Sequence, residues 1–330
     1  MHLVQPLAPL HRLVYLAVTM TYKIFIDGGA GTTGLQVAGR LSGRGELDIH
    51  ILPDEARKDT AARKAALAKA DIAILCLPDE AAKETAALAA DLPVRLIDAS
   101  SAHRIATDWV YGFAELTHGQ QQKIAEAKMV SNPGCYPTGF LALVRPLIEA
   151  GILSKDALLH VPAVSGYSGG GKQMIANFEA GSEPPYFTYG LNLSHKHLPE
   201  MQNHAGLSSA PIFMPSVGNF AQGMLVHLPL HRSVLADDVR LEDLYAAYEA
   251  HFAEQPLIEV CSQWSSGETR LRGDALAGLD KLQLGVFGKD DGSQFWATAR
   301  LDNLGKGAAG AAVQNLNIML GLEPTKGLSL

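Results

Sequence analysis

Tyr22-Lys-Ile-Phe-Ile-Asp27-Gly28-Gly29-Ala30-Gly31-Thr32-Thr33-Gly34 is the stretch on which the fold turns. A short apolar run from Tyr22 to Asp27 ends in a glycine-rich turn, and a helical pattern runs from Thr32 to Leu41. The turn fits two forms of the dinucleotide fingerprint: GxGxxG through Gly29, Gly31 and Gly34, and GxxGxxG through Gly28, Gly31 and Gly34. Glycines there permit a tight turn and let backbone N–H groups and a helix N-terminus approach a pyrophosphate. Such turns also occur without ligands, so the surroundings decide.

Outward from the turn, strands and helices alternate. Strand patterns cover Asp48 to Leu52, Ile72 to Cys76, Val94 to Ile97 and Lys128 to Ser131; helical ones cover Ala61 to Lys69 and Asp79 to Ala90. Strands apolar on both faces, alternating with helices, specify an α/β fold with a parallel sheet covered by helices. After residue 135 the texture changes. Longer, mixed strand patterns (Leu158 to Val164, Gly223 to Leu230, Lys281 to Phe287, Phe295 to Leu301) are separated by Gly-, Pro- and His-rich loops. They predict a second, α+β unit with an open, mostly antiparallel sheet. Residues 303–319 read as a loop entering a helix of small residues, which suits close packing.

The whole chain has 330 residues, 47% hydrophobic and 18% charged, with a formal charge of −7. That composition excludes a disordered chain, and roughly 100–200 residues per domain predicts two domains. A net negative charge argues against nucleic-acid binding, which draws on excess cations. No apolar run approaches the roughly 20 residues that span a bilayer. Three cysteines without a CxxC pair read as free thiols in a reducing compartment. Residues 1–20 lack acids and a clean cleavage site, and read as an N-terminal extension, disordered or preceding a true start at Met20.

Near the end of the second strand, Asp54, Glu55, Arg57 and Lys58 lie roughly 20 residues beyond the last glycine. Either acid suits the ribose 2′-hydroxyl of NAD and either base the 2′-phosphate of NADP, so these residues leave the choice open. Ser131-Asn132-Pro-Gly-Cys135-Tyr-Pro137-Thr138 places a cysteine in a sharp turn before an apolar helix, with Pro137 suited to the first helical position. A helix N-terminus favours the thiolate, the form that attacks carbonyl carbon. Cys76 and Cys261 read as structural, so Cys135 is the candidate nucleophile.

Ser194-His195-Lys-His197-Leu198-Pro199-Glu200 supplies proton-transfer partners. Leu198 precedes a proline and is expected to be extended, with a helix from Pro199, so that His195 and His197 point the same way. His204 raises the question of a metal, but the spacing fits neither a structural zinc signature nor HExxH, and no metal is expected. Gly166 to Lys172 matches GxxxxGK, yet Gln173 stands where a magnesium-binding hydroxyl belongs, so Lys172 is read as a contact for a smaller anion. Arg104 is a candidate clamp for a carboxylate or phosphate.

Together these motifs resemble the N-acetyl-gamma-glutamyl-phosphate reductase family in its shorter form. Four pieces carry the resemblance in order: Asn132 to Thr138, Ser165-Gly-Tyr-Ser-Gly169, His195 to Glu200, and Asn303-Leu-Gly-Lys-Gly-Ala-Ala-Gly-Ala-Ala312. It implies a Rossmann-type NADP-binding domain (21–134 with 303–330) and an α+β catalytic and dimerisation domain (135–302) like that of glyceraldehyde-3-phosphate dehydrogenase. It also implies a cytoplasmic enzyme of arginine biosynthesis that reduces an acyl phosphate through a cysteine thioester, and a homo-oligomer, dimer or tetramer. The catalytic set implied is Cys135, His197 and His195. Cofactor contacts are expected at Gly28, Gly31, Thr32, Thr33, Gly34, Arg57, Lys58, Gly169 and Asn303. Substrate contacts are expected at Arg104, Asn132, Ser165, Lys172 and Glu200. Where longer members read Asp-x-Ser-Ala-Asp-Phe-Arg, this chain has Asp98-Ala-Ser-Ser-Ala-His103-Arg104. The competing expectations are aspartate-semialdehyde dehydrogenase, an amino-adipyl-phosphate reductase, a cysteine hydrolase, and a non-catalytic NADP-binding sensor.

Overall fold

The computed structural model describes residues 21–261 and 270–330, so the expectation for residues 1–20 lies outside the described residues. The alternating half unfolds as β1 (Tyr22–Asp27), α1 (Thr32–Leu41), β2 (Leu47–His50), α2 (Thr60–Leu67), β3 (Ile72–Leu75), α3 (Asp79–Leu88) and β4 (Arg95–Asp98). It closes with β5 (Val110–Tyr111), α4 (Gln120–Glu126) and β6 (Met129–Ser131). All pairings are parallel, in the order β2-β1-β3-β4-β6-β5. The strand order therefore reverses between β1 and β3, and the glycine turn leaves the carboxyl end of β1 at that point, where open α/β sheets bind ligands. Local chemistry sets the helix starts: Asp59 Oδ1 accepts the Ala61 and Ala62 N–H groups at 2.8 and 3.3 Å, capping α2.

The second half contains α5 (Cys135–Glu149), β7 (His160–Gly166), α6 (Gly171–Glu179), β8 (Tyr186–Thr188), α7 (Leu198–Ala205), β9 (Ile212–Gly218) and β10 (Met224–His231). It continues with α8 (Leu241–Phe252), β11 (Ile258–Val260), β12 (Leu282–Gly288) and β13 (Gln294–Leu301). Its sheet runs β11-β12-β13-β10-β7-β9-β8, antiparallel except for β11–β12 and β7–β9, so the mostly antiparallel expectation describes it. β10 carries a proline, Pro229, without cost to the sheet. The strand pairs with β13 along its length but with β7 only over Met224–Val226, so the missing N–H falls where no partner strand runs. One face of this sheet packs on α5, α7 and α8 around Phe140, Leu143, Met201 and Tyr248.

After β13 the chain returns. A π-helical turn, Gly305–Ala309, leads into α9 (Gly310–Met319), whose Ala312, Val313 and Leu316 enter the core of the first sheet beside Ile26, Ile74 and Val130. A buried ion pair anchors the turn: Lys306 Nζ reaches Glu115 Oε1 at 2.7 Å and Gln314 Oε1 at 2.6 Å.

Two local expectations are corrected. α5 starts at Cys135 itself, with Gly134 extended as its N-cap, rather than at Pro137 or Thr138. Leu198 is the first residue of α7, not extended, and His197 is already in the right-handed helical region. The pre-proline bias yields here because Pro199 still sits in the first turn, where its missing N–H has no helical partner to lose.

Candidate active site

The glycine turn is built as a nucleotide cradle. Gly28 has φ +85°, and a Cβ there would lie 2.3 Å from the carbonyl oxygen of Cys76. At Gly34 a Cβ would lie 2.4 Å from the Gly28 oxygen, whereas at Gly29 it would meet only the movable side chain of Ile51. The GxxGxxG spacing is therefore the one the backbone demands. The turn lines a cavity of about 680 Å³ together with Asp54, Arg57, Lys58, Leu77 and Pro78. Arg57 Nη1 lies 3.4 Å from Asp54 Oδ1, with both side chains exposed. At the cavity wall a buried Arg63 donates from Nε to Asp27 Oδ2 at 3.1 Å and also pairs with Thr85 and Glu84, offsetting the acid at the end of β1.

A second cavity, of about 380 Å³, adjoins the first where Gly31 meets Thr32. It brings together Thr32, Thr33, Arg104, Asn132, Cys135, Ser165, Gly169, His195, His197 and Asn303, residues drawn from both halves of the chain. Cys135 is partly accessible there at the start of α5. The surrounding protein pushes its thiol pKa up by desolvation; Arg104 and the backbone N–H groups of Tyr136 and Cys135 pull the other way. The helix start therefore does not leave a net lowered thiol, contrary to expectation, because burial outweighs it.

His197 is buried, and burial with the Arg104 charge holds its pKa well below the ordinary imidazole value, so it is neutral near pH 7. Its Nδ1 is buried with no hydrogen-bond partner among the described residues. A Cβ on Gly134 would lie 2.8 Å from its Nε2, which places that ring beside the Cys135 turn. The His197 N–H donates to His195 Nδ1 at 3.1 Å, and the two rings meet edge to face at 4.7 Å.

Other expected residues take different places. Glu200 does not line the cleft. It is 1% exposed and accepts from Tyr111 Oη at 2.6 Å, Gly134 N at 2.7 Å and Arg104 Nη1 at 3.0 Å. Its oxygens are thus held behind the cysteine turn, which corrects its expected role as a substrate contact. The Asn132 amide is likewise committed, donating to Ala308 O at 3.0 Å and accepting from Asn315 Nδ2 at 3.0 Å. Asn303 bonds Gly223 N and Ser168 Oγ, each at 2.9 Å, and so shapes the wall beside Gly169. Lys172 is exposed on α6 and is not among the cleft-lining residues. His103 stacks on Trp109 with ring centroids 4.1 Å apart, and its Nδ1 lies 2.6 Å from Asp98 Oδ2; both contacts brace the loop that carries Arg104.

Sequence reasoning missed Lys196, Tyr189 and Arg63. The two cleft residues sit in loops without periodicity, although the flanking histidines marked the position of Lys196. Arg63 lies within the helical pattern Ala61 to Lys69, where no local motif set it apart. Groups of three or more potential metal ligands are absent among the described residues.

The chain matches the family models "Semialdehyde dehydrogenase, NAD binding domain" over residues 24–126 and "Semialdehyde dehydrogenase, dimerisation domain" over 135–303. It is 51% identical over 308 residues to an N-acetyl-gamma-glutamyl-phosphate reductase of Sinorhizobium medicae, covering 91% of this chain and 99% of that one. A protein of the same name from Brucella ovis is 51% identical over 309 residues, covering 92% and 100%. Among solved structures, aspartate semialdehyde dehydrogenase II of Vibrio cholerae superposes with a TM-score of 0.71 at 16% identity, over 92% of this chain and 99% of that one. At that identity the likeness concerns the fold alone.

Proposed function

The chain belongs to the semialdehyde dehydrogenase family and, within it, to the N-acetyl-gamma-glutamyl-phosphate reductases; on that premise we propose how its cleft performs their reaction. It is an NADP-dependent oxidoreductase that converts N-acetyl-L-glutamyl 5-phosphate to the 5-semialdehyde and phosphate. The observation that carries the mechanism is the juxtaposition of Cys135, Arg104 and a neutral, buried His197 in one cleft that adjoins the glycine cradle.

The cradle fits the dinucleotide, because Gly28 and Gly34 leave room that a Cβ would fill. Gly28, Gly31 and Gly34 would admit the pyrophosphate, with Thr32 and Thr33 at the helix start, and Arg57 or Lys58 would take the 2′-phosphate. Gly169 and the wall held by Asn303 would border the nicotinamide. When bound, the cofactor supplies hydride to the acyl group carried on sulfur.

The remaining chemistry belongs to the chain. Cys135 Sγ attacks the acyl carbon as its proton passes to His197; the bond to the phosphate oxygen breaks, and a thioester forms. Arg104, beside the sulfur, stabilises the thiolate and the departing phosphate. The Gly134 N–H is committed to Glu200, which leaves the Cys135 and Tyr136 N–H groups to face the developing oxyanion. His197 then passes its proton to the reduced oxygen and takes it back as the thiohemiacetal collapses to the aldehyde and the Cys135 thiolate; return of that proton to sulfur restores the thiol. Its unpartnered Nδ1 is consistent with a partner arriving with substrate, and His195 orients the ring. Ser165, in the cleft wall, is a substrate contact.

The division into a cofactor domain (21–134, 303–330) and a catalytic domain (135–302) is part of this proposal, supported by the return of α9 to the first sheet's core. So is assembly into a dimer or tetramer in the cytoplasm. The open face of the second sheet exposes Ile212, Met214 and Trp296, an apolar surface suited to another copy of the chain. No described helix is long and apolar enough to cross a membrane.

The test runs the reaction backwards, with N-acetyl-glutamate semialdehyde, phosphate and NADP, following reduced-nicotinamide absorbance. Phosphate-dependent reduction is expected, and its absence overturns the assignment. Cys135→Ser should abolish turnover yet bind NADPH as the parent does; full activity in that variant would remove Cys135 as nucleophile.

A further inference from the structure

We propose that Lys196 recognises the α-carboxylate of the substrate, and so selects acyl phosphates that are anionic at both ends. The inference rests on the acyl-phosphate reaction above. That substrate carries a phosphate on the reacting carbon and a carboxylate at the far end of its chain. Two basic side chains other than histidine, Arg104 and Lys196, line the cleft among the described residues.

The two cations stand in different situations. Arg104 is buried and fixed: its Nε donates to Asn132 O at 3.0 Å, its Nη1 to Glu200 and its Nη2 to Ala99 O at 3.3 Å. A Cβ on Gly134, next to Cys135, would lie 2.6 Å from the guanidinium Nη1, which sets Arg104 at the reacting end. A rigid guanidinium there suits the phosphate. Lys196 is exposed and has no hydrogen-bond or ion-pair partner among the described residues. It lines the cleft beside His195 and His197, and its charge is felt at both and at Asp79.

The backbone of Lys196 is held even though its ammonium is free. Leu198 N donates to His195 O at 2.9 Å, and His197 N donates to His195 Nδ1, so the loop closes tightly around Lys196. A flexible ammonium with three unused donors on a fixed stem is suited to a single carboxylate. Asp79 feels the Lys196 charge, but its carboxylate accepts from the Ser101 N–H at 2.9 Å and hydroxyl at 2.7 Å and makes no hydrogen bond to the ammonium among the described residues.

The reverse reaction separates the two anion sites, because aldehyde and phosphate enter as separate substrates. Lys196→Met should raise KM for N-acetyl-glutamate semialdehyde about 10-fold or more, with KM for phosphate and NADP within about 2-fold of the parent. The analogue lacking the carboxylate, 4-acetamidobutanal, should be turned over equally by parent and variant, and Lys196→Arg should recover most of the loss. A raised phosphate KM, an equal loss on both aldehydes, or no change in either overturns the proposal. Parent enzyme inactive with phosphate and the semialdehyde would instead overturn the acyl-phosphate reaction itself, so the two failures are distinct.

Discussion

Removal of the Glu200 carboxylate measures how firmly the cysteine turn is held. Glu200 accepts three hydrogen bonds, from the Gly134 N–H, the Tyr111 hydroxyl and the Arg104 guanidinium, all buried. In Glu200→Ala the Arg104 charge, itself 8% exposed, loses its one ion-pair partner among the described residues and stays buried. Stripping one member from a buried pair costs about 3–5 kcal/mol, and the orphaned Tyr111 hydroxyl places this variant at the upper end. With an unfolding entropy of about 2.1 cal/mol/K per residue, a chain this long loses roughly 0.7 kcal/mol per degree near its midpoint, so Tm should fall by about 4–7 °C. Circular dichroism on heating provides the assay. Arg104→Met combined with Glu200→Ala should be less destabilised than the two single losses added together, because no charge is then stranded. Glu200→Gln should fall between, keeping the acceptor for Gly134 and Tyr111 but not the charge. A Glu200→Ala protein with unchanged Tm and a raised KM for the acyl phosphate would refute this reasoning and return Glu200 to the substrate.

Gly28→Ala should abolish NADPH binding, read as loss of fluorescence enhancement on titration, and should lower stability by about 1–3 kcal/mol, because φ +85° and a Cβ 2.3 Å from the Cys76 oxygen cannot coexist; retained cofactor affinity would exclude this turn as the cradle. Acid should weaken the fold through His227, whose pKa burial lowers to about 4 and whose Nδ1 faces the Trp296 N–H. The unfolded chain takes up that proton from about pH 6.5 downwards while the native one does not, so the stabilisation is complete above pH 6.5 and is lost on the way down to about pH 4. The loss is on the order of 3 kcal/mol. Urea midpoints measured from pH 7 to 4 should drop less steeply in His227→Gln; identical slopes would remove His227 as a cause.

What the sequence made legible is local, and what it hid is long-range. The strand–turn–helix at Tyr22–Leu41 and the cysteine at a helix start depend on neighbours within a few residues; the first is found where the pattern put it, the second with its helix beginning two residues early, at Cys135. Hydrophobic period and turn chemistry act over that same short range. β9 escaped notice because Ile212–Gly218 contains Pro215, which ordinarily argues against a strand. Arg104 and Glu200 are 96 residues apart, and Lys306 and Glu115 are 191 apart, so no spacing in a single chain announces either pair. Two of the three misread substrate contacts have this origin. Glu200 and Asn132 carry the polar groups a ligand site needs, but tertiary partners from distant segments satisfy them first. A residue free to meet substrate is therefore marked by an uncommitted polar group in the cleft rather than by polarity alone. That criterion singles out the Nδ1 of His197 and the ammonium of Lys196, which the proposals above set at the reacting carbon and at the distant carboxylate. Between them and Arg104, the cleft can read both ends of its substrate against a net charge of −7.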